Sequence, residues 1–207
     1  MKKTVLLFII LLLSFAAAQA QYRKAFILSE GGFSAGSSKL SLYNISSNTF
    51  SLSIFTPGAI GLYPDGLIYH NGFLYLLEQG GYGGQGKIYK LDTNGTVQSS
   101  SSFGTNPYSL AIANNKIYTT NGIAGKVIVL NQANFSVIKE INSGVYPQEL
   151  IQFKTYVFVC NTSLYGGNQD STVSVSNTSN YSIITKINVM QDTSSLAISD
   201  DSNILND

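Results

Sequence analysis

The sequence predicts an all-β fold, a β-propeller of four-stranded antiparallel blades, and three observations carry that expectation. A strand-turn module recurs around a leucine anchor at Leu67, Leu110, Leu150 and Leu196, with spacings of 43, 40 and 46 residues, and a period of that size with strands alone reads as radial repetition. No window of ten or more residues after the N-terminal segment carries a 3.6-residue apolar period, so no substantial helix is expected. Apolar character also grades within a module. The second strands are apolar at consecutive positions, as in Phe73-Leu74-Tyr75-Leu76-Leu77, whereas Phe50-Ser51-Leu52-Ser53-Ile54 alternates strictly. The first pattern suits a strand covered on both faces and the second a half-solvated outer strand.

The elements follow in order. Residues 1–20 read as a secretory signal peptide: Lys2 and Lys3, an apolar run from Val5 to Leu13, and the small-x-small site Ala18-Gln19-Ala20. The apolar stretch is shorter than the ~18 residues of a spanning helix. Export places the mature chain in the periplasm, at the cell surface or outside the cell. The domain then occupies 21–207, with repeats at about 24–57, 64–103, 107–142 and 147–188 and the start of another at 193–207. In the opening repeat, Ala25 to Gly32 matches a second strand, Lys39 to Asn44 a third and Thr49 to Phe55 a fourth, so a first strand is missing there. In the later repeats a first strand ends at a polar turn, Asn71-Gly72, Asn114-Asn115, Lys154-Thr155 or Asp200-Asp201. Asn-Gly is the strongest hairpin signal of the set, because a primed turn needs positive φ at both central residues. Second strands follow at 73–77, 116–120 and 156–160, then a Gly-rich loop, then third strands at 87–92, 126–131 and 172–177. Fourth strands are clear at 135–141 and 181–187. Residues 96–103 are a weak match, being mostly serine.

The module Pro107-x-x-Leu110-Ala111-Ile112 … Asn115-Lys116-Ile117-Tyr118-Thr119-Thr120-Asn121 … Lys126-Val127-Ile128-Val129-Leu130-Asn131 resembles the YVTN-type β-propeller repeat and is similar to extracellular YncE-like propellers of bacteria. The resemblance spans residues 24–207. It implies a ring, commonly of seven blades, in which the C-terminal strand completes the first module. The chain after the signal holds about four blades' worth, so the expectation is an incomplete ring, an open arc, and a truncated chain. Two copies completing one ring is the alternative.

Composition narrows the partners. Without Lys2 and Lys3 the chain carries ten basic and eleven acidic side chains. Nucleic acid and acidic membranes are poor partners for such a balance, since phosphate binding needs a basic face. Charged residues make up 11% of the chain, against about 25% in ordinary soluble domains; Ser, Thr, Asn and Gly solvate the surface instead. The single cysteine, Cys160, allows no internal disulfide, and its apolar surroundings in sequence mark it as a buried small hydrophobe rather than a nucleophile.

Few constellations suggest chemistry. Gly81-Tyr82-Gly83-Gly84-Gln85-Gly86 fits G-x-G-x-x-G, but a strand follows where a phosphate loop needs a helix. His70, the only histidine, has no partners that sequence can place for a catalytic triad. Glu30 and Glu78, with Asn121 and Asn161, occupy matching repeat positions and would ring the mouth of the central channel; such a ring could hold Ca²⁺ through hard oxygens. Loops after second strands and before first strands share one face, and they carry Phe33, Tyr63, Tyr82, Tyr108, Tyr146, Glu149 and Tyr165. Aromatics on Gly-supported loops suit recognition of sugars, planar ligands or protein surfaces. The expected function is therefore noncatalytic binding or scaffolding outside the cytoplasm, toward a small molecule, a glycan or a surface protein, with no cofactor. The alternative is a metal-dependent propeller lactonase or lyase.

Overall fold

The structure, a computed structural model, describes residues 23–32, 34–58 and 66–199. The expected signal peptide, Phe33, Tyr63 and the segment from Asp200 lie outside the described residues. Four sheets follow one another along the chain, each an antiparallel meander in strand order. The first has three strands, β1 (Lys24–Ser29), β2 (Lys39–Asn44) and β3 (Thr49–Phe55). The second holds β4 (Leu67–His70), β5 (Phe73–Glu78), β6 (Gln85–Leu91) and β7 (Val97–Thr105). The third holds β8 (Leu110–Ala113), β9 (Lys116–Asn121), β10 (Lys126–Asn131) and β11 (Val137–Asn142), and the fourth β12 (Pro147–Phe153), β13 (Tyr156–Asn161), β14 (Thr172–Asn177) and β15 (Ile183–Asn188). No helix occurs among the described residues. Among the described residues the first sheet has no inner strand before β1, as its sequence implies.

Local chemistry explains the hairpins. His70 pairs with Phe73 across Asn71-Gly72, and Ala113 with Lys116 across Asn114-Asn115. All four turn residues have positive φ, between 48° and 84°, which is the twist a two-residue primed turn requires. Burial then follows strand rank. β5 and β9 are buried at every position after their first, while β3, β11 and β15 are largely exposed.

Two expectations need correction. The serine-rich 96–103 segment is a full outer strand: β7 is nine residues long and pairs with β6 from Gln85–Thr105 to Leu91–Val97. An outer strand needs little apolar surface, and here Phe103 alone is buried, so serine costs it little. Conversely, Thr193–Ile198, expected as another first strand, forms no strand, because it finds no ladder partner among the described residues.

Three apolar clusters join neighbouring sheets. One holds Phe26, Leu28 and Leu40 against Leu74, Leu76, Tyr89 and Leu91. The next holds Tyr75, Leu77 and Ile88 against Ile117, Ile128, Leu130 and Phe135. The last holds Tyr118, Val127 and Val129 against Leu150, Val157 and Val159. Polar groups lock the same seams: Gln132 Nε2 donates to the Tyr75 hydroxyl at 2.9 Å, and the Tyr118 hydroxyl donates to the Thr178 carbonyl at 3.2 Å. Among the described residues no apolar cluster joins the first sheet to the fourth, so the sheets form an arc with an apolar face at each end. Ile27 and Phe50 are exposed at one end; Tyr156 and Phe158 stack edge-on at the other.

A candidate ligand-binding face

The loops that follow second strands each close in a four-residue turn. Gly84 N donates to Gly81 O at 2.7 Å, and Gly167 N to Leu164 O at 2.8 Å. Tyr82 and Tyr165 stand second in these two turns, followed by Gly83 and Gly166 with φ of 73° and 69°. Such a turn needs positive φ at its third residue, which glycine supplies without strain. The two tyrosines are 75% and 99% exposed, so rigid turns hold both rings out from the rim. The matching turn in the first sheet is Ser34-Ala35-Gly36-Ser37, one residue beyond Phe33. β6 follows the Gly-rich loop directly, which removes the helix that a phosphate loop requires.

A second repeat signal, which sequence inspection missed, ties these loops down. Asn106, Tyr146 and Asp192 each sit four residues before a leucine anchor, and each has positive φ, at 47°, 36° and 59°. Asn106 Oδ1 accepts from Gly83 N at 2.6 Å, and its Nδ2 donates to Gly81 O at 2.9 Å. Asp192 Oδ1 accepts from Ser163 N at 2.8 Å, and the Tyr146 carbonyl accepts both the amide and the hydroxyl of Thr162. The Tyr82 loop is thereby braced by the entry to the third sheet, and the Tyr165 loop by the segment after β15 and by the entry to its own sheet. Three different residue types share one backbone role, which is why no motif was visible.

The expected oxygen ring does not assemble. Ladder register makes Glu78 (opposite Lys87), Asn121 (opposite Lys126) and Asn161 (opposite Thr172) equivalent, and the same place in the first sheet belongs to Ser29, opposite Lys39. Glu30 is therefore one residue out of phase, and it is exposed while Glu78 is buried. The other three face seams between sheets. Asn121 Oδ1 accepts from the amide and hydroxyl of Thr105 at 2.7 and 3.0 Å. Asn161 Oδ1 accepts from Ser143 Oγ, and its Nδ2 donates to Thr172 Oγ1 and Ser174 Oγ. Glu78 Oε2 accepts from the Tyr89 hydroxyl, while Oε1 finds no partner. Burial, reinforced by the Glu78 bond and charge, pushes the Tyr89 phenol far above its ordinary range. Among the described residues no group of three His, Cys, Asp or Glu side chains could hold a metal ion. His70 is engaged locally, its Nε2 lying 3.0 Å from Asn71 Nδ2 in the hairpin.

The inner strands instead flank an open cavity of about 520 Å³. Residues 66–68, 108–112 and 149–152 line it, together with Ile198, so the leucine anchors of three sheets meet at one cavity. Tyr108 and Glu149 of the expected site residues are on this wall. Glu149 Oε1 accepts from Ser109 Oγ at 3.2 Å. Burial raises the Glu149 carboxyl above the usual range, and the Ser109 bond offsets this only in part. Cys160 is fully buried and its thiol is pushed up to about 11 by burial and by the Glu149 charge.

The Glu149 shift has a stability consequence with a definite sign. A carboxyl whose pKa is raised by folding favours the fold when protonated, and that contribution disappears as pH rises through the folded-state pKa. Glu149→Gln is expected to melt higher than the parent chain at pH 7. The gap should close below about pH 4, where the parent carboxyl is itself neutral; melting curves across that range test it.

No family model matches the chain, and no curated protein matches it. Solved structures do. The designed protein Ika8 superposes with a TM-score of 0.64 at 13% identity over 88% of this chain and 52% of its own. A chain of the nidogen/laminin complex gives 0.61 at 13% identity over 80% and 59%, and hydrazine synthase of Kuenenia stuttgartiensis 0.54 at 17% over 62% and 36%. The chain thus spans less than two thirds of the length of each. Identities this low speak to fold alone, and the fold is that of a β-propeller.

Proposed function

We propose that this chain is an exported, noncatalytic binding or scaffold module of the YVTN-type propeller kind, and that it recognises its partner through the rim bearing Tyr82 and Tyr165. The observation that carries the reading is the display of these two rings on equivalent turns, each with glycine in third place and each tied by a side chain, Asn106 or Asp192, from the segment that follows its own sheet. Holding a large aromatic in water serves no packing purpose, whereas a pre-set aromatic loses little entropy on binding. The N-terminal segment supports export. A carbohydrate or a protein surface fits such a rim, since both are met by flat, amphipathic rings over several weak contacts.

Glycan and peptide arrays probed with the exported chain test the proposal. Tyr82→Ala and Tyr165→Ala should each weaken any captured binding about tenfold, as loss of an aromatic anchor does, with melting unchanged because neither ring is packed. Binding that survives both substitutions intact would refute the rim as the recognition face.

A further inference from the structure

We infer that the open cavity flanked by the inner strands is a second, separate binding site, built for the ammonium group of an organic amine with an apolar body. Four observations converge on it. The cavity measures about 520 Å³, within the roughly 300–1,000 Å³ of small-molecule sites. Its wall is mainly aliphatic, with Ile68, Ile112, Ile151 and Ile198 among its side chains. Among the described residues Glu149 supplies the only formal charge on that wall, and no Lys or Arg lines it. Glu149 forms no ion pair among the described residues; its Oε1 accepts from the Ser109 hydroxyl.

Charge and ligand count decide the class. An anion would meet an uncompensated carboxylate in a partly desolvated place, where like charges repel strongly. A Ca²⁺ ion wants six to eight oxygens, and one carboxylate with one hydroxyl is far short of that. A single ammonium needs a few acceptors, which the Glu149 carboxylate and the Ser109 hydroxyl beside it supply on one side of a mainly aliphatic cavity. Pairing also offsets the cost of holding Glu149 ionised. That cost is visible in the upward shift of its carboxyl. The Cys160 thiol feels the Glu149 charge, and with its own ionisation pushed up to about 11 it stays neutral through the pH range in which Glu149 ionises.

Calorimetric titration of the full chain with n-hexylammonium, n-hexanol and n-hexanoate reads the proposal. Hexylammonium should bind at pH 7, hexanol at least tenfold more weakly and hexanoate not at all. Glu149→Gln should lose at least tenfold toward hexylammonium while binding hexanol as before. The hexylammonium affinity of the parent chain should also fall as pH drops through Glu149 protonation. Tyr82→Ala with Tyr165→Ala should leave hexylammonium binding untouched, which separates this site from the rim. No heat with hexylammonium up to roughly 10 mM, equal affinity for hexanol, or a Glu149→Gln variant that binds as the parent does would each overturn it.

Discussion

Tyr118→Ala should cost about 4 kcal/mol, the range for removing a buried aromatic ring, and lower the melting temperature by roughly 8–16 °C for a chain of this size. The side chain is fully buried at the seam between the third and fourth sheets, among Val127, Val129, Leu150 and Val157. Removing it opens a cavity in the one apolar cluster that holds those sheets together. Tyr118→Phe keeps the ring and loses only the bond to the Thr178 carbonyl, so about 1 kcal/mol is expected. Thermal denaturation followed by circular dichroism separates the two. The phenol adds a second readout. Burial, then the field of Tyr181, pushes it up to about 12 from an ordinary value of 10.0. The neutral hydroxyl therefore favours the fold fully below pH 10 and progressively less between about 10 and 12. The phenylalanine variant should lack that alkaline loss, and equal alkaline profiles for the two chains would contradict the assigned burial.

Asn161→Ala is the second large effect, at about 3 kcal/mol. Asn161 is fully buried and serves three hydroxyls at once, those of Ser143, Thr172 and Ser174. Alanine removes both ends of the amide and leaves the buried Ser143 hydroxyl without its acceptor, while Ser174 Oγ keeps its bond to the Ser143 carbonyl at 3.3 Å. Each such loss costs about 1–3 kcal/mol; Thr172 retains its bond to Asp170 Oδ1 at 2.7 Å, which limits the total. Ser143→Ala made on top of Asn161→Ala should cost less than Ser143→Ala alone, because members of one network are not additive. Strict additivity in denaturant titrations would show that the amide and the hydroxyl act separately.

Much of this architecture is legible in the chain because the inner strands advertise themselves. Phe73–Glu78 and Lys116–Asn121 are apolar or β-branched nearly throughout, and their hairpins carry Asn-Gly and Asn-Asn where positive φ is required. The outer strand Val97–Thr105 hides because a solvated edge tolerates serine. Glu30 and Glu78 both stand where a strand meets its loop, yet ladder register gives the place of Glu78, opposite Lys87, to Ser29, opposite Lys39. The bracing positions Asn106, Tyr146 and Asp192 share a dihedral angle rather than a side chain, and composition holds no trace of that. Of the candidate site, Tyr82, Tyr165, Tyr108 and Glu149 were reachable by strand counting. That Glu149 would stand alone on a mainly aliphatic wall was not, because the cavity is made by residues about forty positions apart.

The buried sulfur of the fourth sheet bears on how the chain meets oxidants. With its thiol raised to about 11, Cys160 exists as thiolate in only about one molecule in ten thousand at neutral pH, and that fraction is sealed from solvent. Oxidants, mixed-disulfide donors and alkylating electrophiles thus find nothing to attack until β13 is torn from its neighbours. The lone sulfhydryl is in this way compatible with an oxidising milieu, and the rate at which it becomes reactive is a clock for the opening of that sheet.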